Sequence, residues 1–407
     1  MSQPPSIARF TLDHWGFPLD ARKLDEDYIP EQIPIREPDI KVMVEYLSPC
    51  LRGNLPPNLM IQGASGTGKT VVTRYVLLEL QRVIDNQGLK DDVKIAYVNC
   101  FKARTETQVL CAIAGRAGVQ LPPTGFSIAE YLRRVGAALD RGGRFIVVVL
   151  DEADRLASEK ILYLLTRPEL FTEARSAVWC ITNRVDFFDT LPNNIKSSYG
   201  HLKMLFEPYR AEDLNKIMRS RLREALVPGR KLEDVVDEDA LNLIAALGAQ
   251  EHGDCRRALE LLRMVVHLAQ TKEKKRLSVD IVDEAYKRVQ MDLVREAVRS
   301  LPVQTKAILV ALDELTEEDG RQNHCTGEIF TRYAVVAEKL GLRPLTNRRI
   351  SDLIGELDAV GLAASHVISR GRGGRTTELS LSVEHDTLLE ALSKDAMVKE
   401  VIRWKPS

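Results

Sequence analysis

Residues 63–70 read Gly-Ala-Ser-Gly-Thr-Gly-Lys-Thr, the spacing GxxxxGK[ST]. Glycines in such a loop let backbone N–H groups converge on an anion, and a helix that starts inside the loop adds its positive dipole end. Gly63, Ala64, Ser65, Gly66, Thr67, Gly68, Lys69 and Thr70 are therefore candidate phosphate-binding positions for ATP or ADP. Lys69 is placed to reach the β- and γ-phosphates, and the Thr70 hydroxyl to bind Mg²⁺. In VVVLDEAD, four apolar residues end in Asp151 and Glu152. A carboxylate at the end of a buried strand in a phosphate-loop protein holds Mg²⁺ directly or through water, which assigns Asp151. Glu152 beside it is the candidate general base for an attacking water. AVWCITNR brings Asn183 to the end of another apolar run. An amide there can bond the γ-phosphate or orient the water, and a structural cap fits that residue alone equally well. GDCRRALEL places Arg256 and Arg257 in the first turn of a helix, where the macrodipole disfavours cations. An anionic partner explains that placement, as does plain surface exposure.

These groups need elements to hold them. NLMIQG is a short apolar run before the loop, and VVTRYVLLELQRVI after it has helical periodicity, which predicts strand, loop, helix. Further buried-strand patterns lie at 93–99, 145–151 and 177–182, separated by helical stretches. Strands alternating with helices predict an α/β fold with a parallel, doubly wound sheet. After about Pro208 the strand signal stops, and 211–293 reads as consecutive amphipathic helices. Near Leu301 a third unit begins, with helix patterns at 303–315, 327–340 and 347–360 and then two strand-like runs around a Gly/Arg turn. The expected division is 1–210 for a nucleotide-binding base with an N-terminal arm, 211–296 for an all-helical domain and 297–407 for the third unit. The arm, residues 1 to about 40, is rich in Pro and charge and carries Phe10, Trp15 and Phe17, as a segment laid over a domain would.

The last of the three helix patterns puts Ile350, Leu353, Ile354 and Leu357 on one apolar face. Its first turn and the residue before it carry Thr346, Asn347, Arg348 and Arg349, which suits a helix whose N-terminal end reads a major groove. The turn SRGRGGRTT holds Arg370, Arg372 and Arg375 among glycines with no acid between them. From Arg343 to Arg375 there are six Arg and no Lys against Asp352, Glu356 and Asp358. A polyanion accounts for that local excess better than an ordinary surface helix and a solvated turn do.

Bulk properties narrow the classes. The chain has 407 residues, enough for two to four domains, and 44% hydrophobic with 28% charged residues is a globular composition. Apolar runs such as FIVVVL are far too short to cross a bilayer, and no basic-then-apolar leader opens the chain, so a cytoplasmic, nucleoid-associated location is expected and no membrane partner. Six cysteines stand singly and never in a CxxC pair, against zinc and against a disulfide framework. A formal net charge of −1 means that any nucleic-acid surface is local.

Taken together, the motifs resemble those of an AAA+ ATPase: Walker A at 63–70, Walker B at 147–152, a sensor 1 Asn183 and the sensor 2 motif GDxR at 253–256. DYIPEQIPIRE, LRGNLPPNLMIQGASGTGKT, YVNC, LPPTGFS, FEPYRAEDL and GDCRRALELL narrow this, over essentially the whole chain. They resemble the origin recognition and cell-division-cycle family of replication initiators in its archaeal form. The resemblance implies an AAA+ core, a helical lid and a C-terminal winged helix. It implies ATP/ADP and Mg²⁺ as cofactors, with Arg36 and Tyr209 contacting the nucleotide and Arg256 acting beside Glu152 and Asn183. Origin DNA, the replicative helicase and paralogous initiators are its implied partners, and the insert between YVNC and LPPTG its implied second DNA contact. One departure stands out: where the family usually offers a finger arginine shortly before KSS, this chain reads LPNNIKSS, with Asn194. Two rival readings share part of this pattern. A DEAD-motif helicase needs a second strand-rich domain, for which nothing after residue 210 provides. An ATP-binding winged-helix regulator or plasmid maintenance protein would use the same motifs and stays open.

Overall fold

The computed structural model describes residues 17–89, 93–140, 145–167, 175–369, 375–399 and 402. The chain divides into two compact units, Met1–Val282 and Asp283–Ser407.

In the first unit the apolar runs become the parallel strands β1 (Leu59–Gly63), β2 (Val93–Asn99), β3 (Phe145–Asp151) and β4 (Arg175–Thr182), joined by a short β5 (Lys203–Phe206), in the spatial order β2-β3-β4-β1-β5. β1 and β3 are buried along their whole length and β4 along all but its first residue, as strands covered on both faces must be. One face packs against α1 (Glu37–Leu47) and α2 (Lys69–Gln87), with Trp179 at the centre of that core. The other packs against α3 (Glu106–Arg116), α4 (Ile128–Asp140), α5 (Lys160–Thr166), α6 (Phe187–Thr190) and α7 (Asn193–Tyr199). Because β4 lies between β3 and β1, the strand ends at Asp151, Thr182 and Gly63 stand side by side at the carboxyl edge. That edge is where open α/β sheets bind ligands.

β5 was not legible in the sequence. It has four residues, Lys203 and Leu205 are exposed while Met204 and Phe206 are buried, and so short an edge strand carries no continuous apolar signal.

The lid is α8 (Ala211–Ala225), α9 (Leu232–Val235), α10 (Glu238–Gln250), α11 (Cys255–Thr271) and the start of α12 (Val279–Ser300). Its helices bury one face each, for example Leu259, Leu262, Val265 and Val266 of α11. The expected start at 211 coincides with the first residue of α8. The expected end at 296 falls inside α12, while the compact unit ends at Val282, so base and lid belong to one packed body. Of the arm, Phe10 and Trp15 lie outside the described residues; Phe17 is buried. From there the arm is strapped to the lid. The Asp20 N–H donates to the Ala225 carbonyl (2.7 Å), Lys23 Nζ to the Glu224 carbonyl (2.6 Å) and the Tyr28 hydroxyl to the Glu224 carboxylate (3.1 Å).

The second unit contains α13 (Val303–Asp319), β6 (His324–Cys325), α14 (Thr326–Lys339), α15 (Asn347–Ala359), β7 (Ala363–Ser369), β8 (Arg375–Leu381) and α16 (His385–Ser393). Three helices followed by a hairpin, in an antiparallel sheet ordered β6-β8-β7, make a winged helix. Helix α15 buries Ile350, Leu353, Ile354 and Leu357, the face its periodicity predicts.

Candidate nucleotide site and DNA-facing module

Three glycines of the loop hold conformations that L side chains rarely adopt, with φ of 152° at Gly63, 69° at Gly66 and 91° at Gly68. Their surroundings forbid a side chain as well. A Cβ on Gly66 would lie 1.7 Å from the Asp254 carboxylate, one on Gly68 2.5 Å from the Tyr209 hydroxyl, and one on Gly63 2.4 Å from the Phe206 carbonyl. The loop is thus pressed from behind by the lid's 253–256 turn and by the FEPY segment. The Cys255 N–H adds a bond to the Gly66 carbonyl (3.2 Å).

Lys69 opens α2 and is almost wholly buried. Its ammonium donates to the carbonyls of Gly63 (2.8 Å) and Ala64 (2.6 Å). Burial first, and the Arg256 charge second, push its pKa down to about 8. A phosphate beside it would favour the charged form. Ala64 and Ser65 are exposed at the crown of the loop, and the Thr67 hydroxyl donates to the Ala64 carbonyl (2.9 Å).

Asp151, at the end of β3, is 3% exposed. The Thr70 hydroxyl lies 3.3 and 3.2 Å from its two oxygens, the Glu152 N–H donates to one of them (3.0 Å), and the Tyr97 hydroxyl makes a short bond to the other. One hydroxyl beside one carboxylate is the donor set of a Mg²⁺ that keeps waters and phosphate oxygens in its shell. Among the described residues no group of three His, Cys, Asp or Glu side chains could hold a metal without such help. The loop and this pair together fit a nucleotide with Mg²⁺.

Glu152 sits in the left-handed region (φ 56°, ψ 46°) at the head of a 3-10 turn, Ala153–Arg155. Such a conformation costs about 1–3 kcal/mol in a non-glycine residue and is found where a side chain must be aimed. The turn is stitched to the end of β4, since the Thr182 hydroxyl donates to Asp154 (2.7 Å) and accepts from the Arg184 N–H (3.0 Å). Asn183, between those two residues, is exposed and lines the same cleft as Lys69, Thr70, Asp151 and Glu152. The lid contributes Arg256 to that cleft. Asp254 caps α11 by accepting from the Arg256 N–H (2.8 Å), after a left-handed pair at His252 (φ 62°) and Gly253 (φ 69°). The Arg256 guanidinium lies 4.0 Å from Glu26 of the arm.

Arg36, for which the resemblance implies a nucleotide contact, lies behind the phosphate loop and is not among the residues that line the cleft. At 6% exposure it braces the loop from behind, donating to the carbonyls of Thr67 (2.8 Å) and Glu207 (2.6 Å) and to the Tyr209 hydroxyl (3.0 Å), and pairing with Asp39 (3.1 Å). Its guanidinium also lies over the rings of Phe206 and Tyr209. Tyr209 does line the cleft, and burial pushes its phenol up to about 12. The arm reaches the cleft at Glu26, Asp27, Pro30, Gln32, Ile33 and Pro34 instead. DYIPEQIPIRE contains most of that strip, and Arg36 lies two residues past its last lining residue, Pro34. Tyr97, which meets the Asp151 carboxylate from β2, has no signal along the chain that marks that contact.

Asn194 lies exposed in the first turn of α7, and the nearby Lys196 amine donates to the Asp189 carbonyl (2.7 Å). In the insert, α3 is capped reciprocally by Thr105 and Gln108, and Phe101 before it is 65% exposed.

In the second unit Thr346, Asn347, Arg348 and Arg349 are all exposed where α15 begins. Arg349 has Asp352 at 3.7 Å one turn on. Arg370 and Arg372 lie outside the described residues. Arg375 opens β8, its backbone in register with Ser369, and its side chain likewise lies outside them. Among the described residues no helix is long and apolar enough to cross a membrane.

Comparison with known proteins covers the whole arrangement. Residues 55–182 match the AAA domain, 215–287 the Cdc6 AAA+ ATPase-type lid domain and 296–391 the CDC6 C terminal winged helix domain. The ORC1-type DNA replication protein 1 of Aeropyrum pernix is 39% identical over 384 residues, covering 92% of this chain and 94% of that protein. The protein of the same name in Archaeoglobus fulgidus is 36% identical over 387 residues, covering 94% and 92%. The solved structure of the Aeropyrum pernix ORC1 protein in complex with DNA superposes with a TM-score of 0.77 at 38% identity, covering 94% of this chain and 98% of that one.

Proposed function

The chain belongs to the Orc1/Cdc6 family of DNA replication initiators, and from that premise we propose that it binds duplex DNA at replication origins under the control of ATP. The observation that carries this reading is the single cleft into which base and lid both send chemistry: Lys69, Thr70, Asp151, Glu152 and Asn183 from the base, Arg256 from the lid. Loop backbone and Lys69 hold the phosphates, while Thr70 and Asp151 hold Mg²⁺, which neutralises charge on the β- and γ-phosphate oxygens when bound. Glu152 takes a proton from the attacking water and Asn183 orients it. Arg256 meets the γ-phosphate from across the cleft, so ATP and ADP tie the lid to the base differently. That difference is the switch.

In the winged helix, Asn347, Arg348 and Arg349 supply register and base contacts in the major groove, and Arg370, Arg372 and Arg375 contact phosphates. Hydrolysis is slow because Asn194 cannot supply the charge of a finger arginine. Help in loading the replicative helicase and cooperation with paralogous initiators, in the cytoplasm at the nucleoid, complete the reading. Support comes from the resemblance over the whole chain and from the Aeropyrum pernix ORC1 protein, whose structure was solved with DNA.

The test is footprinting of the purified protein across its own genome's origins with and without ATP. Protection that is confined to origin repeats and changes with ATP is expected. Protection scattered over many promoters, indifferent to ATP, would instead describe a winged-helix regulator.

A further inference from the structure

We infer that Tyr97 is a positioning residue for the metal end of the nucleotide site, its hydroxyl fixing the Asp151 carboxylate in the orientation that receives Mg²⁺. The inference rests on the nucleotide reading above. Tyr97 lies on β2, and β2 pairs with β3 in register, Tyr97 opposite Val149 and Asn99 opposite Asp151. From two residues back on the neighbouring strand, the phenol reaches sideways to Asp151 Oδ2. It is the lateral support of a carboxylate whose other contacts come from the Thr70 hydroxyl and the Glu152 N–H.

Each of those other contacts is tied to chemistry that changes during turnover. Thr70 is a proposed Mg²⁺ ligand, and Glu152 is the proposed base on a left-handed residue. Tyr97 is not itself among the residues that line the cleft, and its hydroxyl meets that lining at Asp151. Its ring is fixed by only two torsions, so the hydroxyl loses little freedom in holding its partner. The phenol hydroxyl is the donor of that bond, since an ionised carboxylate oxygen only accepts. Groups that hydrogen-bond a metal ligand from behind set its orientation, and removing one typically weakens metal affinity or activity by roughly 10- to 100-fold.

The experiment is a Mg²⁺ titration of fluorescent-ADP affinity for the full chain, parent against Tyr97→Phe. Affinity in EDTA should be unchanged, and the Mg²⁺ concentration at the midpoint of the Mg²⁺-dependent tightening should rise by roughly tenfold. In an Asp151→Asn background, Tyr97→Phe should add nothing further. An unchanged midpoint in Tyr97→Phe overturns the inference. So does an equal loss of affinity in EDTA and in Mg²⁺, which would make the ring a packing element only. A parent that binds no fluorescent ADP in either condition would instead refute the nucleotide site itself.

Discussion

The nucleotide cleft and the start of α15 carry charge in opposite ways. In the cleft the two central charges are buried and each is held by named partners, Lys69 by two carbonyls and Asp151 by Thr70, Tyr97 and the Glu152 N–H, while Arg36 holds the loop from behind. At α15, Asn347, Arg348 and Arg349 stand exposed on an apolar ridge that is itself buried, and the nearest acid to Arg349 is a turn away. Chemistry on a phosphate needs atoms placed before the substrate arrives. Attraction to a polyanion needs only unspent positive charge on a rigid mount. The first region should therefore fail sharply under small changes, and the second gradually.

Glu152→Gln gives the sharpest contrast. Turnover should fall at least about a hundredfold, the usual scale for a positioned base, with ATP still bound. Lys69→Ala should lose the nucleotide itself. Undiminished turnover in Glu152→Gln would remove the glutamate from the mechanism and blunt the comparison. On the other side, Arg348→Ala should narrow the gap between specific and random DNA by about 1–3 kcal/mol if one bidentate base contact is lost, read as the ratio of the two dissociation constants. Replacing Arg372 and Arg375 together with Ala should weaken binding to all sequences alike. Two phosphates at about 0.9 each should flatten the slope of log K against log salt by about 1.8. An unchanged slope would put the DNA elsewhere.

A glycine pair separates conformational cost from the interlock of loop and lid. Gly66 and Gly229 both have left-handed φ, but only a Cβ on Gly66 meets the Asp254 carboxylate; nothing lies within 4 Å of one on Gly229. Gly229→Ala should lose about 1–2 kcal/mol in denaturant melts, and Gly66→Ala more, because its Cβ must also displace the Asp254 carboxylate. Only Gly66→Ala should lose nucleotide affinity. The smallest expected effect is none: specific ATPase rate should not rise with protein concentration, because Asn194 offers a neighbouring active site no cation. A steep rise that survives Lys196→Ala would reveal a finger elsewhere, since such a residue contributes on the order of 10³–10⁵ in rate.

Legibility followed the same division. Residues that act through local sequence were visible: the glycine spacing of 63–70, the apolar run into Asp151, the i, i+3, i+4, i+7 face of Ile350 to Leu357. What the sequence withheld depends on which strands are neighbours. Tyr97 reaches Asp151 only because β2 lies beside β3 in one register, and no spacing along the chain encodes that. For Arg36 a nucleotide contact came only from the resemblance of its segment to the family's. Burial between Phe206, Tyr209 and the loop carbonyls turns it into a brace. The short edge strand β5 escaped because half of its residues face outward.

The central claim is that the nucleotide cleft governs how the winged helix meets DNA. Its most direct measurement is the affinity ratio for origin against random duplex at fixed salt, with ATP, with ADP and with neither, in the parent and in Lys69→Ala. The account predicts a ratio that changes between ATP and ADP in the parent and stays at one value in Lys69→Ala. A parent ratio identical in all three nucleotide states would contradict it.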